Sequence, residues 1–189
     1  MNQWITNYVK GWTTYQQNKI QTHKKKTPLF GITTTPDMKP FTQIAMDLIT
    51  GLPQVNGKDV ILIIVDHGCS RVAIFIPCST TITGPGIAQS YLRNVYPWFG
   101  LPSRVISDRD PRFTSQFGKA LIMKLGINCN ISTAFHPQMD GLSERKNQWV
   151  EQYLWIVTSA NPKDWTQWLA LALAVHNNRR NTTTRLLPN

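Results

Sequence analysis

Alternating and continuous apolar runs divide the middle of the chain into short strands separated by turn residues. The alternation over residues 41–50 predicts a strand, with Ile44, Met46 and Leu48 on one face and Ala45, Asp47 and Ile49 on the other. A continuous β-branched run over 60–65 predicts a strand buried on both faces. Residues 71–77 are predicted to form a third strand, and the short loops between the three strands predict an antiparallel meander.

Beyond this meander the hydrophobic period lengthens to that of helices, which alternate with further strands. The predicted elements are, in order, a helix over 87–98, a strand over 104–107, a helix over 113–125, a strand over 127–132, a helix over 141–160 and a helix over 165–178. The order βββαβαβαα describes an α/β protein with a five-stranded mixed sheet flanked by helices. Each passage from strand to helix to strand predicts a right-handed crossover, so the fourth strand can lie parallel beside the first.

Residues 1–40 have the composition of an appendage to the domain that we place at 41–185. Apolar residues at near-helical spacing predict a helix over 2–21, and three consecutive lysines follow at 24–26. Threonine and proline residues within 33–40 predict a linker. The lysine run is compatible either with a solvated tail or with an arm that contacts nucleic acid.

Charge and composition narrow the classes of partner. The 189-residue chain has a net charge of +10, which favours a polyanionic partner, although a basic protein without a dedicated partner has the same balance. No run of about 18 apolar residues predicts a membrane span, and the N-terminus lacks the pattern of a signal peptide. Three scattered cysteines are typical of buried thiols in a reducing compartment.

Three carboxylates lie where the chain topology can bring them together. Asp47 occupies the interior of a strand, from which aspartate is usually depleted. Asp108 ends the fourth strand, and thirty-five residues separate it from Glu144, in the first turn of the helix over 141–160. Converging carboxylates can hold two divalent cations for phosphoryl transfer, because Mg²⁺ prefers hard oxygen ligands.

Each of these acids also has a structural explanation. Asp108 could start a turn with Pro111, and Glu144 could be an acid favoured by the helix dipole. Two further acids compete for a role at the site. We expect Asp110 to shape the turn after the fourth strand and Asp66 to close a strand into a hairpin loop.

Three ordered motifs carry a specific family resemblance. They are MDLITGLP at residues 46–53, GLPSRVISDRDPRF at 100–113 and STAFHPQMDGLSER at 132–145. Together they resemble the integrase catalytic core of gypsy-type LTR retrotransposons, a retroviral-type integrase of the DDE superfamily, over roughly residues 40–185. The resemblance implies a ribonuclease-H-like fold for this part of the chain.

The resemblance also implies a function and its residues. Asp47, Asp108 and Glu144 would form a catalytic triad that binds two Mg²⁺ or Mn²⁺ ions. The enzyme would be a polynucleotidyl transferase with endonuclease chemistry, which inserts retroelement cDNA into host DNA by 3′-end processing and strand transfer. The expected partners are DNA, with RNA as a further candidate, and other copies of the chain, and the expected location is the nucleus. The nucleic-acid contacts that we expect are Arg109, Arg112, His136, Gln138, Arg145 and Lys146.

The sequence departs from the family pattern at two places. Trp12 and Tyr15 stand where the family's N-terminal zinc-binding module has two cysteines, so residues 1–40 are predicted to be a degenerate remnant that binds no zinc. Gln148 and Glu151 stand where retroviral relatives have basic residues, one and two turns beyond the glutamate of the triad. The absent cysteines favour an alternative function, a degenerate or domesticated module that binds DNA or RNA without integration. A ribonuclease-H-like nuclease using the same triad is a third possibility.

Overall fold

The computed structural model describes residues 2–13, 39–107, 110–125, 132–134 and 140–178. In chain order its elements are helix α1 (Asn2–Gly11), strands β1 (Gln43–Ile49), β2 (Val60–Asp66) and β3 (Ala73–Cys78), helices α2 (Gly84–Asn94) and α3 (Tyr96–Phe99), strand β4 (Arg104–Ile106), a π-helix (Arg112–Phe117) continued by α4 (Gly118–Leu125), strand β5 (Ser132–Ala134), helix α5 (Asp140–Val157), a 3-10 helix (Pro162–Asp164) and helix α6 (Trp165–Asn177). Within these ranges, no helix combines the length and hydropathy needed to cross a bilayer.

The strands form one mixed sheet in the order β3-β2-β1-β4-β5. β1 pairs antiparallel with β2, and β2 pairs antiparallel with β3, so the predicted meander is confirmed. β4 lies parallel to β1, with Ala45 opposite Ile106, and β5 lies parallel to β4. The predicted position of the fourth strand beside the first is therefore confirmed, and β1 is the central strand.

Two apolar layers cover the faces of the sheet, because alternate residues of each strand point to opposite sides. On one face, α2, the π-helix and α4 contribute buried side chains that include Tyr91 and Phe117. On the other face, α5 and α6 contribute Leu154 and Trp165, among others. β2 is buried along its whole length, as its continuous β-branched sequence predicted.

Asn177, the last residue of α6, fixes this helix to the outer edge of the sheet. Its Nδ2 donates to the carbonyl oxygen of Ala73 at 2.9 Å, and its Oδ1 accepts from the amide of Ala73 at 3.0 Å. The side-chain amide therefore satisfies backbone groups of the edge strand β3 that the sheet leaves unpaired.

Two predicted helices are interrupted. The helix predicted over 87–98 is two helices, because Val95 departs from helical geometry (φ −121°, ψ −49°) and Pro97 cannot donate a helical hydrogen bond. The helix predicted over 113–125 begins as a π-helix and becomes an α-helix at Gly118. Both interruptions concern how a helix is wound, which the spacing of apolar residues does not specify.

Other elements differ from the prediction at their ends. β3 begins at Ala73 rather than at residue 71, because Arg71 has a left-handed backbone (φ 63°) in the loop after β2. The described part of the fifth strand is β5, whereas residues 127–131 of the predicted strand lie outside the described ranges. Of the helix predicted over 2–21, the structure shows α1, and residues 14–21 again lie outside what is described.

Candidate active site

Asp47 lies on β1, in the face of the sheet that α5 covers. Its neighbours on that face, Ala45 and Ile49, are buried in the same core as Val150 and Leu154 of α5. Asp47 itself is half-buried, so a carboxylate stands within an otherwise apolar contact between a strand and a helix. The alternation along β1 predicted this face correctly.

Both carboxylate oxygens of Asp47 accept hydrogen bonds. The amide of Leu48 donates to Oδ1 at 2.8 Å, and Nδ2 of Asn147 donates to Oδ2 at 2.5 Å. The second bond joins α5 to the central strand. Among the residues that the structure describes, no partner donates to the buried Oδ1 of Asn147. An acceptor beside the carboxylate is thus available to a donor such as a bound water.

Glu151 adds a second carboxylate to this site. It follows Asn147 by about one turn of α5. Partial burial and, after it, the negative charge of Asp47 raise the pKa of the Glu151 carboxyl, so the two acids are close enough to repel each other. The helical period predicted Glu151 on the face of this helix that carries Glu144, at a position where retroviral relatives have a basic residue. Its proximity to Asp47 was not predicted.

The other two members of the predicted triad are described only in part. Asp108 lies outside the described residues. Glu144 lies on α5, three residues before Asn147 and so almost one turn from it, and its backbone alone is described. The convergence of Asp47, Asp108 and Glu144 therefore stays a prediction.

The predicted nucleic-acid contacts also stay predictions. Three of them lie outside the described residues, namely Arg109, His136 and Gln138. Two more are placed on α5 by their backbone alone, namely Arg145 and Lys146. Arg112 is described, and its guanidinium binds the carboxylate of Asp110 through Nε at 2.8 Å and Nη2 at 2.5 Å. Any phosphate contact by Arg112 would share its charge with this acid.

Asp110 shapes the turn after β4, as predicted. Its Oδ1 accepts from the amide of Arg112 at 2.9 Å, in addition to the two bonds from the guanidinium to Oδ2. The hydrogen bonds from Arg112 hold the pKa of the Asp110 carboxyl below its ordinary value. An acid already paired in this way competes poorly for a metal ion.

Asp66, the other competing acid, is a buried turn-forming residue. Its carboxylate accepts from the amide of Gly68 at 3.0 Å and from the amide and hydroxyl of Ser70 at 2.7 and 2.6 Å. Burial alone would raise the pKa of Asp66, but these hydrogen bonds outweigh it and hold the pKa below the ordinary value. The prediction that Asp66 closes a hairpin loop is confirmed.

The oxygen atoms around Asp47 suit a hard divalent cation such as Mg²⁺. Asp47 supplies a carboxylate, and Oδ1 of Asn147 can accept a hydrogen bond from a water that Mg²⁺ retains. In the described part of the chain, no three His, Cys, Asp or Glu side chains are grouped as metal ligands. A complete ligand set would therefore include Asp108 or Glu144, the residues that the resemblance names.

Retrotransposon polyproteins are similar in sequence to this chain. The Transposon Tf2-3, Tf2-4 and Tf2-5 polyproteins of Schizosaccharomyces pombe (strain 972) are each 35% identical over 184 residues, which make up 97% of this chain and 14% of the polyprotein. The chain thus spans about a seventh of the length of these relatives. No protein-family model matches it.

Several solved structures share its fold. The HTLV-2 integrase catalytic core domain in complex with magnesium aligns with a TM-score of 0.59 in its trimeric form, at 17% identity over 80% of this chain and 95% of that one. Its dimeric form aligns over the same shares with a TM-score of 0.56 at 18% identity. A chain of the simian T-cell lymphotropic virus intasome in complex with PP2A regulatory subunit B56 gamma aligns with a TM-score of 0.57 at 23% identity, over 76% of this chain and 50% of that one.

These findings confirm both the predicted fold class and the resemblance that the three sequence motifs carried. The relatives in sequence are retrotransposon polyproteins, and the neighbours in structure are HTLV-2 integrase catalytic core domains and a chain of a retroviral intasome. Asp47 stands on the central strand of that sheet. The chain is therefore a retrotransposon polyprotein homologue with the fold of a retroviral-type integrase catalytic core.

Proposed function

We propose that the chain is the catalytic core of a retroelement integrase, a polynucleotidyl transferase that inserts element cDNA into host DNA by 3′-end processing and strand transfer. The observation that carries the proposal is the position of Asp47. This carboxylate stands on the central strand of an integrase-type fold and is bonded to Asn147 of the covering helix. Packing alone does not explain an acid there, because aspartate is unfavourable within strands.

We assign Asp47, Asp108 and Glu144 as the carboxylates that would hold two Mg²⁺ or Mn²⁺ ions. Bound there, the ions would activate a water or a DNA 3′-hydroxyl and stabilise the leaving oxygen. The sheet register supports the first two ligands, since Ala45 pairs with Ile106 and the two aspartates each follow that pair by two residues. The magnesium in the HTLV-2 core complex supports a divalent cofactor.

Asn147 is the positioning residue of this arrangement. Its hydrogen bond restricts the Asp47 carboxylate to one orientation. Because Glu144 lies on the same helix, the bond also fixes the turn that carries Glu144 relative to β1. Groups that orient a ligating carboxylate in this way strengthen metal binding without touching the metal.

DNA is the proposed substrate, and the net charge of +10 supports a polyanionic ligand. RNA is a second nucleic acid that the same charge would attract. Because chromosomal DNA would be the target, we also propose that the protein acts in the nucleus. The residues that we assign to phosphate and base contacts are Arg109, Arg112, His136, Gln138, Arg145 and Lys146.

We further propose that the core forms a homo-oligomer through the outer face of α6. Trp168, Leu171 and Val175 lie on successive turns of this helix and are exposed. The HTLV-2 core is described in dimeric and trimeric forms, which supports self-association. Burying this apolar stripe against a second copy would remove it from water, which favours association.

A module that binds DNA or RNA without integration is the second candidate. The observation that favours it is that Asp47 already accepts two hydrogen bonds from the protein. Its carboxylate can therefore serve to join α5 to β1 without holding a metal. The two candidates differ in whether Asp47 is required for chemistry.

A disintegration assay distinguishes them. The substrate is a branched DNA that mimics the strand-transfer product, with Mn²⁺, and Asp47→Asn is compared with the wild type. The substitution preserves side-chain size, and Asn147 can turn its amide to present its oxygen to the new NH₂ group. We expect both proteins to bind DNA, with Asp47→Asn binding no more weakly because it loses a negative charge, and we expect strand rejoining by the wild type alone. Binding without rejoining in either protein would support the binding module, and preferential cleavage of an RNA–DNA hybrid would support the nuclease.

A further inference from the structure

A cleft opens between the segment that leaves β1 and the second half of α5. Its volume is about 260 Å³, and its lining is mostly apolar. Ile49, which shares a face of β1 with Asp47, lines one side, and Leu154 lines the other. Glu151, whose carboxyl interacts with that of Asp47, also lines the cleft. The cleft therefore begins two residues beyond Asp47 on β1 and one turn beyond Asn147 on α5.

The walls of this cleft are held in place by the protein. Nε1 of Trp165 donates to the carbonyl oxygen of Pro53 at 2.8 Å, which joins the start of α6 to the loop after β1. The Trp165 side chain is buried in the core beneath the cleft. Gly51 turns the loop away from β1 with a left-handed φ of 80°, a conformation that glycine adopts without strain. A site preformed in this way needs little reorganisation to accept a ligand.

Trp155 gives the cleft the character of a stacking site. Although it adjoins the buried Leu154, its side chain is 64% exposed, and it lines the cleft together with Leu52 and Pro162. A cavity of 260 Å³ is much larger than the roughly 30 Å³ share of one water and smaller than the roughly 300–1,000 Å³ of drug-sized pockets. Its size and its exposed aromatic ring suit a single flat ring system.

The polar side of α5 leads from the catalytic turn to this cleft. Positions 144, 148, 151 and 155 share one side of the helix by its 3.6-residue period, and the last three are exposed. Position 155 follows position 144 by eleven residues, which is about 16 Å along the helix axis. At about 3.4 Å per base step, a strand that follows the helix would reach the cleft about five nucleotides from the catalytic turn.

We propose that the cleft binds one unpaired nucleobase of the DNA substrate, stacked on Trp155 and hydrogen-bonded to Glu151. A tryptophan face stacks on any base, and a carboxylate accepts from the amino groups of cytosine, adenine and guanine, which thymine lacks. Because Glu151 would repel phosphates, the base rather than the backbone faces it. This inference rests on the proposed function in taking DNA as the ligand, and it adds a base-reading subsite to that function.

Binding without metal tests the subsite separately from catalysis. The probe is a fluorescently labelled single-stranded oligonucleotide, titrated in EDTA at fixed salt against the whole chain. We expect Trp155→Ala to weaken binding about tenfold, the loss of one base–aromatic stack being of that order, and Trp155→Phe to retain most of the affinity. Trp98→Ala is the matched control, since Trp98 is 79% exposed on α3 and lies away from the cleft. We expect it to bind as the wild type does.

An abasic scan then links Trp155 to one base. A single abasic nucleotide is moved along the oligonucleotide, and we expect one position at which it weakens wild-type binding but does not weaken binding by Trp155→Ala further.

Glu151→Gln removes a negative charge and should bind all sequences more tightly, so the readout is the ratio of affinities for oligo-dC and oligo-dT. We expect the wild type to prefer oligo-dC and the substitution to reduce that preference.

Two outcomes would overturn the subsite. One is an abasic effect that persists unchanged in Trp155→Ala, and the other is equal loss of affinity in Trp155→Ala and Trp98→Ala. If Trp155→Ala bound DNA as the wild type does but sedimented as a smaller oligomer, the cleft would be a contact between copies of the chain instead. The wild type could show the expected abasic effect, absent in Trp155→Ala, and still fail to rejoin strands in the disintegration assay. That result would refute the proposed integrase activity but would support the subsite.

Discussion

Nδ2 of Asn147 lies 2.5 Å from Oδ2 of Asp47, so the helix that covers the sheet and the central strand beneath it meet in a hydrogen bond to a carboxylate. A hydrogen bond to a charged acceptor is stronger than one between neutral groups. The orientation of Asp47 and the position of α5 therefore depend on each other. A change at position 147 should affect catalysis and stability together.

Replacing Asn147 with alanine tests this dependence. We expect Asn147→Ala to lower the disintegration rate by about 10- to 100-fold, the usual effect of removing a group that orients a ligand. Urea unfolding should show a loss of roughly 1.5–3 kcal/mol, since a bond to a charged group is removed. Asn94→Ala is the control, because its Nδ2 donates at 2.8 Å to the carbonyl of Ser90 in an exposed turn of α2. Equal effects of the two substitutions would contradict the role of Asn147.

The sequence predicted the strands well because their hydrophobic period is short and unambiguous. The alternation along β1 placed Asp47 and Ile49 on one face, and the continuous run in β2 predicted burial on both. The crossover rule then placed β4 beside β1. Local pattern and chain topology together were sufficient to place Asp47 on the central strand, in the face that α5 covers.

What the sequence did not predict are contacts between side chains that are distant along the chain. One hundred positions separate Asp47 from Asn147, and Asn177 is a similar distance from its partner Ala73. Neither asparagine stands out in a hydrophobic pattern, because a polar residue on a helix is ordinarily exposed. The proximity of Glu151 to Asp47 was not predicted either, because it depends on how α5 packs against β1.

Two glycines provide a test of the packing of α2 on the π-helix. A Cβ at Gly84 would lie 2.2 Å from Cβ of Gln116 and 3.0 Å from the carbonyl oxygen of Arg112. Because backbone would have to move, we expect Gly84→Ala to destabilise the protein by about 1–3 kcal/mol. At Gly118 a Cβ would meet nothing within 4 Å, and the backbone is helical (φ −60°, ψ −45°).

Gly118→Ala should therefore stabilise the protein by about 0.5–1 kcal/mol, as expected for replacing glycine within a helix. Both values are measured by urea unfolding under identical conditions. If Gly84→Ala and Gly118→Ala both raised the free energy of unfolding, the close approach at Gly84 would not limit the packing of α2.

The lowered pKa of Asp66 should make the free energy of unfolding depend on pH. Because the folded protein holds the pKa of this carboxyl below its ordinary value of 3.8, the unfolded chain binds more protons between the two pKa values. The stabilisation by Asp66 is therefore fully present above pH 3.8 and is lost as the pH falls through the lower, folded-state pKa. Asp66→Asn should cost roughly 2–3 kcal/mol near neutral pH, since Ser70 loses its acceptor.

The quantity to measure is the difference in unfolding free energy between wild type and Asp66→Asn, from about pH 7 down to about pH 3. Asp110, whose pKa is also lowered, is present in both proteins and cancels in this difference. We expect the difference to shrink only below pH 3.8. A difference that stays constant across the range would show that the Asp66 carboxylate contributes nothing through its charge.

A charged substitution in the apolar stripe on α6 should dissociate the proposed homo-oligomer. Leu171 lies between Trp168 and Val175 on the exposed side of this helix, so Leu171→Arg would place a charge in the middle of the proposed interface. Burying an unpaired charge is strongly unfavourable, so we expect monomers in sedimentation velocity at concentrations where the wild type is oligomeric. The fold should be unaffected, because surface substitutions usually change stability by about 0.5 kcal/mol or less.

Met123→Arg is the matched control for this experiment. Met123 is 82% exposed on α4, which covers the opposite face of the sheet, so the same charge there should leave the oligomer unchanged. Dissociation by both substitutions would point to a general effect of added positive charge on a chain that already carries +10. An oligomer that survives Leu171→Arg would move the interface away from α6, because a buried arginine at its centre could not be accommodated without a partner acid.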